Sequence, residues 1–401
     1  MGSVRRALLV ASVALLFVPA GGAGSLPLTT RLANALAVRG NSTDDSGAVA
    51  VDLATGRTLF ARHADLPLAP ASNEKLAVAF ASLHELGPSY RYHTTVFARG
   101  SQQGAVWRGD VFLKGFGDPT LTSLQLDRLA TQLRFLGIQR ITGRVLGDES
   151  WFDSVRTAPG WKAAFFITEC RPLSALVVDR GFYDRHVALQ PALAAAGAFR
   201  LFLRKHGIRS GAAALGRAPA GALPLAEVES RPLSRILADM DHESDNFEAE
   251  MLLKTLGAEV GDGGTTPAGA AVVLGDLAAA DIPLAGVRIV DGSGLSLSDR
   301  LTVDALAALL VAAWNDVAIR KAFWGSLPVA GINGTMEHRL RTGPARGVVR
   351  AKTGTTSRAS ALSGYVRDRY VFAVLQNGFP VSAWPARKAQ DRFVTALASA
   401  A

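Results

Sequence analysis

The chain has 401 residues, of which 49% are apolar and 19% charged, with 40 Gly, 18 Pro and a single Cys. That length accommodates two or three domains with a sizeable core, and the apolar share excludes wholesale disorder. One cysteine excludes a disulfide-stapled scaffold, a Cys-rich zinc site and a cysteine-ligated cluster. The formal charge of +9 comes from 43 Lys plus Arg against 34 Asp plus Glu, and only eight of the basic residues are Lys. They form no five-residue run and no stripe interleaved with aromatics, so nucleic acid is not an expected partner. An anionic cell envelope suits the charge as well.

The first expected element is a leader. Arg5 and Arg6 precede an apolar run over 7–20 and the small residues Gly21, Gly22, Ala23 and Gly24. A positive start, a 14-residue apolar run and small residues after it predict a secretory signal peptide over 1–23, cut after Ala20 or Ala23. The run is short for a membrane-spanning helix, so no stable transmembrane anchor is expected. Loss of Arg5 and Arg6 would lower the charge from +9 to +7. The expected location is the periplasm or another extracytoplasmic cell-wall space. Cys170, alone in such a compartment, reads as a small buried apolar residue.

Residues 47–62 alternate around an Asp-Leu-Ala-Thr-Gly turn and predict an antiparallel hairpin. A helix begins at Ser72-Asn73-Glu74-Lys75, keeps Leu76, Ala79, Phe80 and Leu83 on one face, and ends at Gly87-Pro88. Residues 92–118 and 140–147 read as strands, with a helix over about 123–136 between them. The Gly/Ala/Pro-rich segment 208–224 reads as a loop or domain edge. Helical patterning then dominates over 231–241, 245–256, 267–279 and 302–319. Strands return at 347–354, 360–366 and 370–377, before a closing helix over 384–399. This order predicts an α+β fold. Its antiparallel sheet joins N- and C-terminal strands and is flanked by helices.

Several hydrolase and nucleotide signals are missing from the chain: His-Glu-x-x-His, Gly-x-Ser-x-Gly, a P-loop and a complete dinucleotide fingerprint. No metal or cofactor is expected. Three other motifs occur in order: Ser72-Asn73-Glu74-Lys75, Ser244-Asp245-Asn246 and Lys352-Thr353-Gly354. Taken singly, the first two read equally well as helix N-caps and the third as a strand end. Together they supply a nucleophile and its base. Positions i and i+3 share a helix face, so Lys75 projects beside the Ser72 hydroxyl, which needs a neighbouring base to become nucleophilic. Lys75 serves only with a lowered pKa, through burial or a nearby cation such as Lys352. Ser244 can relay a proton to a leaving amine, and Asn246 can hold the Lys75 ammonium and a substrate amide. An edge strand carrying Lys352, Thr353, Gly354 and Thr355 can pair with an extended peptide, Gly354 permitting close approach. Lys352 and the two threonine hydroxyls suit a terminal carboxylate, and the N–H groups of Ser72 and Thr355 an oxyanion.

The ordered trio, with Phe112–Leu121, Ser174-Ala175-Leu176, Asp291–Ser296, Leu327–Gly331 and the phrase 244–257, resembles the class C low-molecular-mass penicillin-binding proteins. These are the D-alanyl-D-alanine carboxypeptidase/endopeptidases typified by penicillin-binding protein 4. The resemblance implies a serine β-lactamase/DD-peptidase-like catalytic domain over 24–88 and 228–401, split by a mixed α/β insertion over 89–227. It implies cleavage of D-Ala-D-Ala ends, and of D-Ala-diaminopimelate cross-links, in peptidoglycan stem peptides. Ser72 would be acylated with Lys75 as base, Ser244 and Asn246 assisting, Lys352 anchoring the carboxylate and Thr353, Gly354 and Thr355 binding substrate. β-Lactam antibiotics would acylate Ser72. Ser72 and Ser244 lie 172 positions apart, fewer than the family usually has, so the insertion is expected to be reduced. The alternatives are a β-lactamase, for which the class A Glu-x-x-Leu-Asn pattern is missing, and a catalytically weak penicillin-binding envelope protein. Asp118 and the Asp291–Ser296 loop read equally as functional or turn-forming, and His242 as a capping or surface residue.

Overall fold

The computed structural model describes residues 26–40, 42, 44–183 and 185–401, and the expected leader lies outside them. Helix α1 (Leu28–Leu36) precedes the hairpin strands β1 (Ser46–Asp52) and β2 (Thr58–Arg62), and a 3-10 turn over Ala71–Asn73 runs into α2 (Glu74–Leu86). Strands β3 (His93–Gln103) and β4 (Val106–Gly115), helix α3 (Ser123–Phe135), and strands β5 (Arg140–Ile141) and β6 (Val145–Asp148) follow. Next come the short pair β7 (Phe182–Tyr183) and β8 (His186–Val187), helix α4 (Pro191–Lys205), β9 (Ala213–Leu215) and β10 (Leu223–Glu229). Five helices succeed them: α5 (Leu233–Glu243), α6 (Asn246–Glu259), α7 (Thr266–Ala279), α8 (Val303–Asn315) and α9 (Arg320–Ser326). Strands β11 (Val349–Thr355), β12 (Ala359–Val366) and β13 (Tyr370–Asn377) and helix α10 (Ala383–Ala398) close the chain.

Two sheets organise these elements. The first runs β11-β12-β13-β1-β2, antiparallel throughout, and β1 lies against β13 from Ser46↔Gln376 to Asp52↔Tyr370. Because side chains alternate along a strand, Val49 and Val51 of β1 join one core with α2, α5, α6, α7 and α8. Ala48 and Ala50 face the opposite core, shared with α1 and α10. Covered on both faces, β1, β12 and β13 are buried along nearly their whole lengths. Helix α2 is central: every residue from Glu74 to Leu83 is buried.

The second sheet is mixed and built wholly from residues 93–229, in the order β10-β3-β4-β6-β9, with β5 also on β4. Strands β5 and β6 run parallel to β4, and β9 parallel to β6. Its core gathers Val96, Val111 and Leu113 with Leu126 and Leu129 of α3 and Phe199 and Leu203 of α4. A small cluster, Phe152, Cys170 and Leu173 with Phe247 and Met251 of α6 and Leu295, packs this unit on the first. Burial pushes the Cys170 thiol well up, so it fills space as a small apolar residue and holds its proton.

The order of elements agrees with the α+β expectation, with local differences. Helices α1, α4 and α9 and the short strands β7 and β8 have no counterpart among the expected elements. Strand β9 falls within the segment expected to be a loop, and β10 begins at its end. The helix expected over 302–319 stops at Asn315, where Asp316 Oδ1 accepts the Ala318 N–H at 2.8 Å and closes a competing turn. No helix among the described residues is long and apolar enough to cross a membrane.

Candidate active site

The three motifs meet at the N-terminus of α2. Ser72 sits in the 3-10 turn, one residue short of the helix proper, and is half-buried beside fully buried Asn73, Glu74 and Lys75. Ala71 before it has φ 48°, a left-handed conformation that turns the serine out of the helix line. Two contacts fix this turn against the edge strand. Asn73 Nδ2 donates to the Lys352 carbonyl at 3.1 Å. A Cβ on Gly354 would stand 3.0 Å from the Pro70 oxygen and 3.1 Å from Ala71 Cβ. Glycine at 354 therefore admits the turn that carries Ser72, a closer neighbour than the substrate peptide expected from the sequence.

Lys75 Nζ lies 3.0 Å from Ser72 Oγ and donates to Asn246 Oδ1 and to the Ser293 carbonyl, each at 2.8 Å. A neutral amine has two hydrogens and one lone pair. With both hydrogens on Asn246 and Ser293, the lone pair is directed at Ser72. Burial lowers the Lys75 pKa to about 8, against the opposing pull of Asp291, Glu250, Asp245 and Asp241. Burial thus does the work for which Lys352 was a candidate.

Ser244 and Asn246 come from the junction of α5 and α6. Ser244 ends α5 at φ 57°, Asp245 caps α6 by accepting the Glu248 N–H at 2.9 Å, and Asn246 is the first residue of that helix. Arg180 pairs with both Asp245 and Glu248, tying the junction to the second sheet's unit. Asn246 Nδ2 reaches the Glu169 carbonyl at 3.1 Å, a second such tie.

Lys352 Nζ donates to Ser244 Oγ at 2.8 Å and to the Thr353 carbonyl at 3.2 Å. Burial, then the neighbouring Lys75 charge, pulls its pKa to about 7. Strand β11 is the outer strand of its sheet. The Ala351 N–H already faces outward, donating to the Pro328 carbonyl at 3.0 Å. Strand alternation turns the Thr353 and Thr355 N–H groups the same way, toward the open edge. The Thr353 hydroxyl bonds Thr335 Oγ1 at 2.9 Å, and Thr355 Oγ1 accepts from Arg387 at 3.5 Å. The structure thus gathers Ser72, Lys75, Ser244, Asn246, Lys352, Thr353, Gly354 and Thr355 in one place.

Beneath them lies a group of buried carboxyls that motif reading missed. Glu74, Glu250, Asp291 and Asp299 are all below 1% exposed or nearly so. Burial, then Asp291, pushes Asp299 up to about 12 and Glu250 up to about 8, and burial raises Glu74 well above its usual range. Only the phrase 244–257 and the Asp291–Ser296 loop hinted at them. His242 has no hydrogen bond to Ser72 or Lys75, and its Nε2 is buried without a partner among the described residues. Asp118 closes a turn by accepting the Thr120 N–H and hydroxyl at 2.8 and 2.7 Å, its carboxyl raised to about 6 by burial.

Comparison with known proteins follows the same geometry. The model of the D-Ala-D-Ala carboxypeptidase 3 (S13) family matches residues 28–192 and 184–400. The chain is 31% identical to the D-alanyl-D-alanine carboxypeptidase of Actinomadura sp. strain R39, over 83% of this chain and 78% of that one. It is 32% identical to a carboxypeptidase of Mycobacterium tuberculosis, over 95% and 86% of the two chains. Among solved structures, penicillin binding protein 4 of Haemophilus influenzae superposes with a TM-score of 0.81 at 21% identity, over 93% of this chain and 98% of that one. A predatory endopeptidase of Bdellovibrio bacteriovorus superposes with a TM-score of 0.58 at 17% identity, over 88% and 93% of the chains. Those structures share the fold, and the sequence relatives fix the lineage: the chain belongs to the D-Ala-D-Ala carboxypeptidase 3 (S13) family and is a serine peptidase.

Proposed function

We propose that the chain is a DD-carboxypeptidase, with endopeptidase activity on D-Ala-diaminopimelate cross-links, that works on peptidoglycan stem peptides through a Ser72 acyl-enzyme. The observation that carries the reading is Lys75: fully buried, with its Nζ 3.0 Å from Ser72 Oγ and its other two bonds committed to Asn246 and Ser293.

In this reading the stem peptide lies along the open edge of β11. Lys352, Thr353 and Thr355 take its terminal carboxylate, and the N–H groups of Ser72 and Thr355 face the penultimate carbonyl oxygen. Ser72 loses its proton to Lys75 and attacks that carbonyl. The tetrahedral intermediate collapses as Ser244 protonates the leaving D-Ala nitrogen and is resupplied by Lys352, its hydrogen-bond donor. Water then attacks the ester, its proton returning through Ser244 to Lys352 while Lys75 returns the other to Ser72. A β-lactam carries a strained amide and a carboxylate that imitate the dipeptide, so it acylates the same oxygen. The division into a catalytic unit over 24–88 and 228–401 and an insertion over 89–227 is part of this reading, supported by the two separate sheets and cores. So are the leader over 1–23 and action outside the cytoplasm.

The test is to incubate the purified protein with a fluorescent penicillin and with diacetyl-Lys-D-Ala-D-Ala. A stable adduct and D-Ala release are expected, and both disappear in Ser72→Ala. Rapid penicillin turnover would instead mark a β-lactamase, and an adduct without peptide cleavage a weak penicillin-binding protein. Full labelling of the Ser72→Ala protein would overturn the site.

A further inference from the structure

The loop Asp291–Ser296 supplies one of the two acceptors of Lys75, the Ser293 carbonyl. The peptide unit joining Ser293 to Gly294 faces two ways. Its carbonyl accepts from Lys75 Nζ at 2.8 Å, and its N–H donates to Asp291 Oδ1 at 2.7 Å. The fully buried Asp291 carboxylate also accepts the N–H groups of Ser293 at 3.2 Å and Ser296 at 2.7 Å. A further donor comes from outside the loop: Trp161 Nε1, 2.8 Å from Asp291 Oδ2. Each of these groups donates to the carboxyl oxygens of Asp291. Glu250 Oε1 holds the two preceding N–H groups, of Gly292 and Ser293, at 3.0 and 2.9 Å. The loop is pressed on the nucleophile turn, because a Cβ on Gly294 would meet the Ala71 oxygen at 1.9 Å.

We propose that Asp291 is a positioning residue for Lys75, acting through the Ser293–Gly294 peptide, and that Trp161 couples the inserted region to that lysine by holding the second carboxylate oxygen. This rests on the reading of Lys75 as the base for Ser72. A negative charge on the N–H side of a peptide polarises it and strengthens its carbonyl as an acceptor. It also fixes the plane of that carbonyl, and so the direction left for the Lys75 lone pair. Trp161 belongs to the segment 89–227, and the neighbouring Gly160 packs on the same loop, where a Cβ would stand 2.4 Å from Ser296 Oγ. A rearrangement of the inserted region therefore reaches the base through three hydrogen bonds and one peptide.

The groups facing Lys75 set the sign of the effect. Asp291 from the loop, Glu250 and Asp245 from α6 and Asp241 from α5 all raise its pKa, Glu74 precedes it on α2, and Lys352 faces it from β11. Removing the Asp291 charge lowers the Lys75 pKa. Removing the indole donor from Asp291 leaves more negative potential and raises it.

The test measures the second-order rate constant of acylation by a fluorescent penicillin from pH 5 to 10, with a melting curve for each protein. D291N is expected to acylate about 10- to 100-fold more slowly, with its acid limb moved to lower pH. W161F keeps the ring and loses the donor. It is expected to acylate about 3- to 10-fold more slowly, with the acid limb moved the other way. The proposal is overturned if both variants stay within twofold of the parent at every pH, or if rates fall with an unmoved midpoint, which is what a purely structural role gives. Should D291N fail to fold, W161F decides alone by the same two criteria. The Ser72→Ala control separates the outcomes: if it still labels, the base reading has failed, whatever the other variants show.

Discussion

The pH dependence of acylation follows from two buried lysines. An ordinary lysine of pKa 10.5 is about 0.03% free amine at pH 7, whereas Lys75, at about 8, is about 9% free amine. Burial, net of the opposing carboxylates, therefore raises the concentration of free amine about 300-fold. Lys352, at about 7, must keep its proton to meet a carboxylate. The form with Lys75 neutral and Lys352 charged peaks near pH 7.5 at about 6% of the protein, and falls about 20-fold at pH 5.5 and at pH 9.5. Acylation by a carboxylate-bearing penicillin, measured from pH 5 to 10 with a separate correction for antibiotic hydrolysis, should trace that bell. An esterified β-lactam, which has no carboxylate, should keep the acid limb and lose the alkaline one. A rate that climbs to pH 10, as an ordinary lysine would give, refutes burial as the source of the free amine. A flat profile refutes Lys75 as the base.

Three substitutions extend the same reasoning. Gly294→Ala places a methyl 1.9 Å from the Ala71 oxygen at a φ of +79°, and should cost about 2–4 kcal/mol with a matching fall in Tm and slowed penicillin labelling. Asp245→Ala removes the α6 cap and a partner of Arg180. It should cost about 1 kcal/mol or more in urea unfolding and slow acylation by loosening Ser244 and Asn246. Glu250 is held at about 8 in the folded chain against 4.5 unfolded, mainly by burial. A raised carboxyl contributes fully below about pH 4.5, and that contribution fades as pH rises through about 8. Glu250→Gln keeps one oxygen acceptor and cannot titrate, so its unfolding free energy in urea relative to the parent should improve between pH 5 and 8, by an amount on the order of a few kcal/mol. An unchanged difference at the two pH values would show that Glu250 is ionised throughout.

The meeting of the three motifs was legible because they carry fixed local geometry: Ser72 and Lys75 at i and i+3, and Asn246 at a helix start beside Ser244. Strand β13, buried on both faces, shows as an apolar run over Tyr370–Leu375. Helix α1 did not, because a nine-residue helix is marginal alone and owes its stability to packing against α10. Strand β9 lies in the Gly/Ala/Pro-rich segment whose propensity argues against strand, and β10 starts where that segment ends. Pairing with β6 and β3 overrides it. Depth was the quantity the residues withheld. Glu74, Glu250 and Asp299 belong to residue types usually found at the surface, and their raised pKa values depend on a burial that only the folded chain sets. For the same reason the lowered Lys75 pKa was open to two causes, and the structure separates them.

The pairing of β1 with β13 has a temporal meaning. Ser72 and Lys75 leave the ribosome 280 and 277 residues ahead of Lys352 and 352's strand neighbours on β12 and β13. The sheet that supports them cannot close until its last strands exist. The second sheet, whose strands all lie within 93–229, can form in the meantime. A half-made chain thus holds its serine with neither a buried base nor an edge strand beside it. The protein is inert until its final seventh is in hand, and a cell that moves it before folding moves a peptidase that cannot yet cut.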